Sequence, residues 1–238
     1  MIAVLASRHD PDAVRVVTAS GGRARLLTAE DLTREGWRWR LGDGAGTAVV
    51  AGEVVEAAEI DAVLVRRPTV AAAELSWIVP ADRAYVAAEL HAFLVAWLVS
   101  LAALGCRVVN RPTAGCLSGP GWRPERWTAL ATRIGLPAAP ARRSVHPAAV
   151  GSDNPQPPGR HGPTQVTVVG DTWYGAVAAD TGAGLVRLAR AAGVDLLAAR
   201  VDRHDGRLLT ADAHPVLDEP QVIDAVLAHL QRPRGGER

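Results

Sequence analysis

Asp61-Ala62-Val63-Leu64-Val65-Arg66-Arg67-Pro68 is the stretch that decides the fold. A continuous apolar run of this length, closed by polar residues and a proline, reads as a strand buried on both faces. The next fifty residues fix the class. Tyr85 to Leu104 is a long apolar stretch that predicts one helix, Gly105 stands where a left-handed cap belongs, and Arg107-Val108-Val109-Asn110 predicts a second strand. Strand, helix and strand in that order imply a βαβ unit and a parallel sheet.

Outward from that unit, Ile2 to Ala6 reads as a first strand. Gly36 to Arg40 alternates Trp37 and Trp39 with arginines, the period of a half-buried strand, and Thr47 to Val50 predicts another. Pro124 to Ile134 predicts a helix with proline in its first turn and Gly135 past its end. Seven of the 16 prolines fall between Pro137 and Pro163, and Gly151 to Gly159 has loop composition, so no packed element is expected there. Regular structure resumes at Gln165–Val169, with a hairpin partner from Trp173 to Ala179, a helix from Gly184 to Ala192, strands at Leu196–Val201 and Leu208–Ala213, and a closing amphipathic helix from Gln221 to Leu230.

The 238 residues are 48% hydrophobic and 21% charged, an ordinary globular balance. A formal net charge of +1 excludes a strongly basic nucleic-acid binder. All 26 basic residues are arginine, so no step that needs a lysine ammonium is open to this chain. Two cysteines, Cys106 and Cys116, are too few for a disulfide scaffold or a cysteine-only zinc site. The Tyr85–Leu104 stretch carries Glu89, His91 and Ser100, which favours a buried core helix over a membrane span. A cytoplasmic protein without nucleic-acid or membrane partners is expected.

Four motifs in order carry a resemblance. Val63-Leu-Val-Arg-Arg-Pro68 followed by Asp82–Glu89 and a long helix, and Val109-Asn110-Arg-Pro112 followed by a helix ending in Gly135-Leu136-Pro137, resemble the N-terminal part of ATP-grasp peptide maturases. Val168-Val169-Gly170-Asp171 with Gly175-Ala176, and Ala211-Asp212-Ala213-His214-Pro215, resemble the C-terminal strands of that family. The resemblance covers roughly residues 1–140 and 164–232, and unrelated α/β proteins rarely give all four motifs in order. It implies an α/β fold: a Rossmann-like pre-ATP-grasp domain over 1–136, a Pro/Gly-rich linker over 137–163, and a reduced α+β ATP-grasp lobe over 164–238. It also implies a chemistry, in which ATP phosphorylates a carboxylate that an amine or hydroxyl then attacks.

The chain departs from that equipment in four places. The interval between Pro137 and Gln165 is several times too short for the subdomain that closes over the nucleotide. The lysine that the family carries near the helix start after Asn110 falls at about Arg123, and the arginine that begins its nucleotide strand falls on Gln165. Its metal-binding Glu-x-Asn pair becomes Asp212 and His214. A further metal aspartate one strand earlier fits Asp202 only if the hairpin is shortened; an ungapped count puts Ala199 nearby. Imidazole is a poor substitute for a hard oxygen ligand of magnesium. The expectation is therefore a degenerate ligase that takes no cofactor and serves as a binding or accessory component in ribosomal peptide modification. The alternatives are a divergent ATP- and Mg-dependent carboxylate–amine ligase, and an ATP-independent enzyme built on the same fold.

These positions supply the candidate residues. Asp212 and His214, two apart on an expected strand, share a face and form either a catalytic acid–base pair or a solvated strand end. Asp202, Asp212 and His214 are the candidate metal set. Arg66 and Arg67 close a strand at the end where open α/β sheets bind ligands, and Arg123 begins a helix; these are the candidate substrate contacts, or plain polar termini. Trp122 and Trp127 flank Arg123 and Arg126, a set enriched at interfaces. Cys116 lies in a Gly/Pro-rich loop with no histidine near it in sequence, and Cys106 reads as core. Val166, Val168 and Leu208 are expected on a sheet face that has lost its cover. An apolar patch there would mark a homodimer interface or a seat for a peptide or partner enzyme.

Overall fold

The computed structural model describes residues 1–40, 46–140 and 162–232. The first lobe is built on β1 (Ile2–Leu5), α1 (Pro11–Ala19), β2 (Ala24–Leu27), α2 (Ala29–Leu32), β3 (Arg38–Trp39), β4 (Gly46–Val50), β5 (Glu53–Glu56), β6 (Ala62–Val65), α3 (Arg83–Ala103), β7 (Arg107–Val109) and α4 (Pro124–Arg133). The second holds β8 (Thr164–Val169), β9 (Thr172–Tyr174), α5 (Ala179–Ala192), β10 (Leu196–Val201), β11 (Leu208–Asp212) and α6 (Pro220–Gln231).

The βαβ reading holds. β6 and β7 pair in parallel across α3, in a sheet of order β2-β1-β6-β7. Alternation along the strands fills two cores. Ala3, Leu5, Val63 and Val65 face α3, while Ile2, Val4, Ala62 and Leu64 face the side covered by α1 and α6. The β3-β4-β5 sheet lies on the α3 side, and there Trp37 meets Phe93 and Trp97 edge-on, both at 5.3 Å. The strand expected over 36–40 shortens to Arg38–Trp39.

The expectation of a buried α3 needs correction. Only a stripe of Ala87, Leu94, Trp97, Leu98 and Leu101 is buried, each large member contributing about 1.5–3 kcal/mol, and Tyr85 and Val99 face outward. Among the described residues, α3 is the one helix long and apolar enough to cross a membrane, yet its stripe packs on the parallel sheet.

The second sheet is antiparallel, in the order β11-β10-β8-β9. Here two expectations fail. Val166, Val168 and Leu208 are not exposed: all three are at most 1% accessible, covered by Trp127, Leu130 and Ala131 of α4 and by Leu185, Leu188 and Ala189 of α5. The period-2 alternation explains it, because the apolar set points to the helices and Gln165 points the other way. The apolar interface expected for a homodimer is thus absent from this face. The proline-rich stretch also begins with a packed segment. Leu208 donates to Pro137 O at 2.9 Å, and Ala139 donates to Leu208 O at 2.8 Å. The remaining expectation of a loop falls largely on 141–161, outside the described residues.

Besides α4 on the second sheet, three contacts that join the lobes bear on the site. α6 packs on the parallel sheet with Val222, Val226 and Leu230 and reaches Val169 of β8 in the same core. Asn110 follows β7 and is 2% exposed, with all of its hydrogen-bonding capacity used: Oδ1 accepts from Asp195 N and Leu196 N, and Nδ2 donates to Leu196 O and Ala213 O. Gly119, at φ +109°, runs close beside it; a Cβ there would lie 3.0 Å from Asn110 Cβ. Arg66 makes the third contact.

Candidate functional site

The loop after β1 and the end of β6 meet the segment that leaves β11. Asp10 caps α1 through Oδ1, receiving Asp12 N at 2.9 Å, with Pro11 in the first turn. Arg66 lies beneath. Its Nη2 donates to Asp12 Oδ2 at 2.7 Å, its Nε reaches Asp10 Oδ2 at 3.4 Å, and its Nη1 donates to Pro215 O at 2.5 Å. Asp12 Oδ2 also accepts Leu217 N at 3.0 Å. The Arg66 side chain is 4% exposed, so this substrate candidate is occupied within the chain as a clasp between lobes. Arg67 is buried as well. It is ion-paired with Glu74 and donates to Thr69 O, which leaves Nη1 with no partner among the described residues. Burial pushes its guanidinium below the usual range, against the opposing pull of Glu74.

His214 is half-buried beside this clasp. Burial first, then the Arg66 charge, hold its imidazole below the usual histidine range; Asp10, Asp212 and Asp12 oppose them. The group is therefore neutral at neutral pH and free to accept a proton. The expected strand pairing of Asp212 and His214 is corrected. β11 ends at Asp212, and the His214 backbone N–H turns back onto Asp212 Oδ1 at 2.9 Å, the local bond by which an aspartate stops a strand.

The open face of the second sheet is set by its register. Asp212 stands opposite Ala198, Thr210 opposite Arg200, and Arg200 in turn opposite Gln165. Gln165, Arg200, Thr210 and Asp212 are all exposed, and they share this face. Asp202 does not join them. It lies four residues beyond Ala198, about 13 Å along the strand, and its Oδ1 caps the turn at His204 N. The metal set of Asp202, Asp212 and His214 is not brought together, and among the described residues no three His, Cys, Asp or Glu side chains converge. Where the resemblance implies a second carboxylate, the register supplies Ala198, with a guanidinium two residues on. These residues do not fit a magnesium ion, which takes oxygen ligands and anionic charge.

Arg123 is exposed at the start of α4 and makes no cap. Cys116 is buried with Sγ 3.6 Å from Ser118 Oγ, Cys106 is buried, Glu89 is exposed, and His91 Nε2 lies 3.2 Å from Ala114 O. Sequence reasoning missed Asp10, Asp12 and Arg200. The Asp10-Pro11 cap signal was available to find the first two. Nothing local marks Arg200, whose place depends on strand pairing.

No family model and no curated protein matches the chain. Solved structures do. The macrocyclase MdnC of Microcystis aeruginosa, bound with precursor peptide MdnA, is 13% identical at TM-score 0.68, covering 97% of this chain and 99% of that one. The ATP-grasp ligase PsnB, complexed with a minimal precursor, Mg and ADP, is 16% identical at TM-score 0.62, covering 97% and 98%. A Chryseobacterium gregarium RiPP-associated ATP-grasp ligase, in complex with ADP and a leader and core peptide, is 11% identical at TM-score 0.60, covering 96% of each. At these identities the likeness is one of fold, and it extends over nearly the whole chain: the protein has the fold of the ATP-grasp ligases that modify ribosomal peptides.

Proposed function

We propose that the protein is a degenerate ATP-grasp ligase, a cytoplasmic peptide-binding or accessory component of ribosomal peptide modification that does not use ATP. The observation that carries this reading is the register that sets Asp212 against Ala198 and leaves Arg200 on the same open face. A second support is length. Between Pro140 and Gly162 lie 21 residues, fewer than the roughly 30 of a single βαβ unit, and thus too few for a subdomain that closes over a nucleotide. A third is the absence of lysine from the whole chain. The peptide half of the proposal rests on the fold, since MdnC and PsnB are bound with precursor peptides and the Chryseobacterium ligase with a leader and core peptide. No homodimer is proposed, because the face expected to form it is covered by α4 and α5.

Calorimetry with ATP and Mg2+ tests the proposal. No binding is expected at millimolar nucleotide. Micromolar affinity abolished by Arg123→Ala would establish the divergent ligase instead.

A second reading is favoured by His214. A half-buried neutral imidazole among Asp10, Asp12, Asp212 and Arg66 has the character of a general base in an ATP-independent enzyme. Turnover of a precursor peptide without nucleotide, lost in His214→Gln, would select it.

A further inference from the structure

A second cleft, sharing no residue with the Asp10–Arg66–His214 cluster, lies between the loop after β7, the start of α4 and the end of α5. Its volume is about 580 Å3, within the usual range for ligand sites. Arg111 and Arg126 line it, and no carboxylate does. Among the described residues neither guanidinium is in an ion pair. Arg111 acts on Asp195 only at a distance, as the weaker of two arginine charges that help hold that carboxyl low, after the bond from His229.

Arg126 is held in place. Its guanidinium carbon sits 4.0 Å from the centroid of Trp122, which also lines the cleft. Trp122 is fixed in turn by Trp127, at 4.8 Å between ring centroids, and Trp127 is 1% exposed in the core beneath α4. The aromatic pair ties an exposed cation to the interior. A stacked guanidinium presents its donor fork already oriented, so binding costs less side-chain entropy. The remaining walls include Pro112, Ala114, Pro120 and Ala192, which can pack against methylenes but supply no side-chain acceptor.

We propose that this cleft binds an acidic peptide segment, with a glutamate or aspartate carboxylate on the Arg126 fork and Arg111 supplying the second positive charge. The choice of a peptide rests on the accessory function proposed for the chain; the choice of a carboxylate rests on the cleft. The planar fork matches a carboxylate in two bonds, and the apolar walls accept the side-chain methylenes that carry it.

The test is fluorescence anisotropy of a labelled pentapeptide, Gly-Glu-Glu-Glu-Gly, against its glutamine counterpart, at low and high salt. The glutamate peptide is expected to bind and the glutamine peptide not. Arg126→Gln and Arg111→Gln are each expected to weaken binding about tenfold, the worth of a charge-assisted bond. Arg126→Lys keeps the charge and should recover only part of it, and Arg34→Gln, in the first lobe, should change nothing. Equal binding by the wild type and both cleft variants would overturn the proposal. So would an equal loss in Arg34→Gln, which would mean diffuse charge attraction, or inorganic phosphate binding more tightly than the peptide. A glutamate peptide that binds through Arg126 while a full precursor does not would sustain the cleft and remove the accessory role.

Discussion

Asn110 Oδ1 accepts the backbone N–H of Leu196 at 2.8 Å, across 86 residues of sequence, and Asn110 Nδ2 returns a bond to the same residue's carbonyl at 2.9 Å. A side chain thus pairs with β10 as a neighbouring strand would, where the parallel sheet ends and the antiparallel one begins. Asn110→Ala removes four hydrogen bonds and strands the buried amide of Leu196, the part-buried amide of Asp195 and two carbonyls. Unmade buried bonds cost about 1–3 kcal/mol each, so a loss of at least ~3 kcal/mol is expected in chemical denaturation. Asn110→Asp keeps the acceptor and loses both donors, and it is expected to fall between. A loss under 1 kcal/mol for the alanine variant would mean that the lobes are held together elsewhere.

The Arg66–Asp12 pair makes a different prediction. Arg66→Ala leaves Asp12, which is 6% exposed, with Arg15 as its remaining charge partner, and frees Pro215 O. Breaking one side of a buried pair costs about 3–5 kcal/mol. The double variant Arg66→Met/Asp12→Leu removes both charges and is expected to recover part of that loss. Proteolysis of the 213–219 segment should be faster in the single variant. Equal stability of Arg66→Ala and wild type would return Arg66 to the pool of free substrate contacts.

How much of this was legible depended on range. The β6–α3–β7 unit was readable because each element carries its signal locally: a continuous apolar run, a long helix, a glycine after it. α1 was missed although Asp10-Pro11 marks its start, because nine residues give a weak period. α5 was recognised only from Gly184. Its first turns contain Gly182, a poor helix former whose missing Cβ lets the Trp173 ring pack against the helix; a Cβ there would come within 2.2 Å of it. The site was less legible than the fold. Whether Asp212 faces Ala198 or Asp202 depends on hairpin length, and the turn decides it through Asp202 N to Arg207 O at 2.8 Å and Gly206 N to Asp202 O at 3.0 Å. Read from the sequence, a shortened hairpin favours Asp202 and an ungapped count favours Ala199, and neither gives Ala198, since Asp205-Gly206 suits turns of more than one length. The cover over Val166 and Val168 was hidden for a similar reason: part of it comes from α4, some thirty residues earlier in the chain and on the far side of the proline-rich stretch.

His214 gives a pH dependence. Its folded form gives up its proton below the ordinary value of 6.5, so between those two values the unfolded chain binds more protons than the fold. Stability is then full above about pH 6.5 and falls as pH drops through the folded value. The groups facing it are Arg66, Asp10, Asp212 and Asp12. His214→Asn is expected to lose less stability than wild type between about pH 8 and about pH 5. Paired thermal melts at the two ends check this, and parallel losses in both proteins would remove His214 from the acid response.

The last prediction restores what the register withholds. Ala198 and Asp212 are direct partners across an antiparallel pair, so their Cβ atoms are about 4.5–5.5 Å apart on the open face. Ala198→Asp would place two carboxylates at that spacing, enough to share one divalent cation through oxygen ligands. Arg200 stands two residues along on the same face and would oppose the ion, so Ala198→Asp/Arg200→Ser should bind more tightly than Ala198→Asp alone. Mn2+ read by paramagnetic resonance is the probe. Wild type is expected to leave Mn2+ free at submillimolar concentration, the two variants to bind it in rising order, and Asp212→Asn to abolish binding in both. If wild type binds Mn2+ at that concentration and loses it in Asp212→Asn, the face already holds a cation, and the degenerate-ligase reading fails with it.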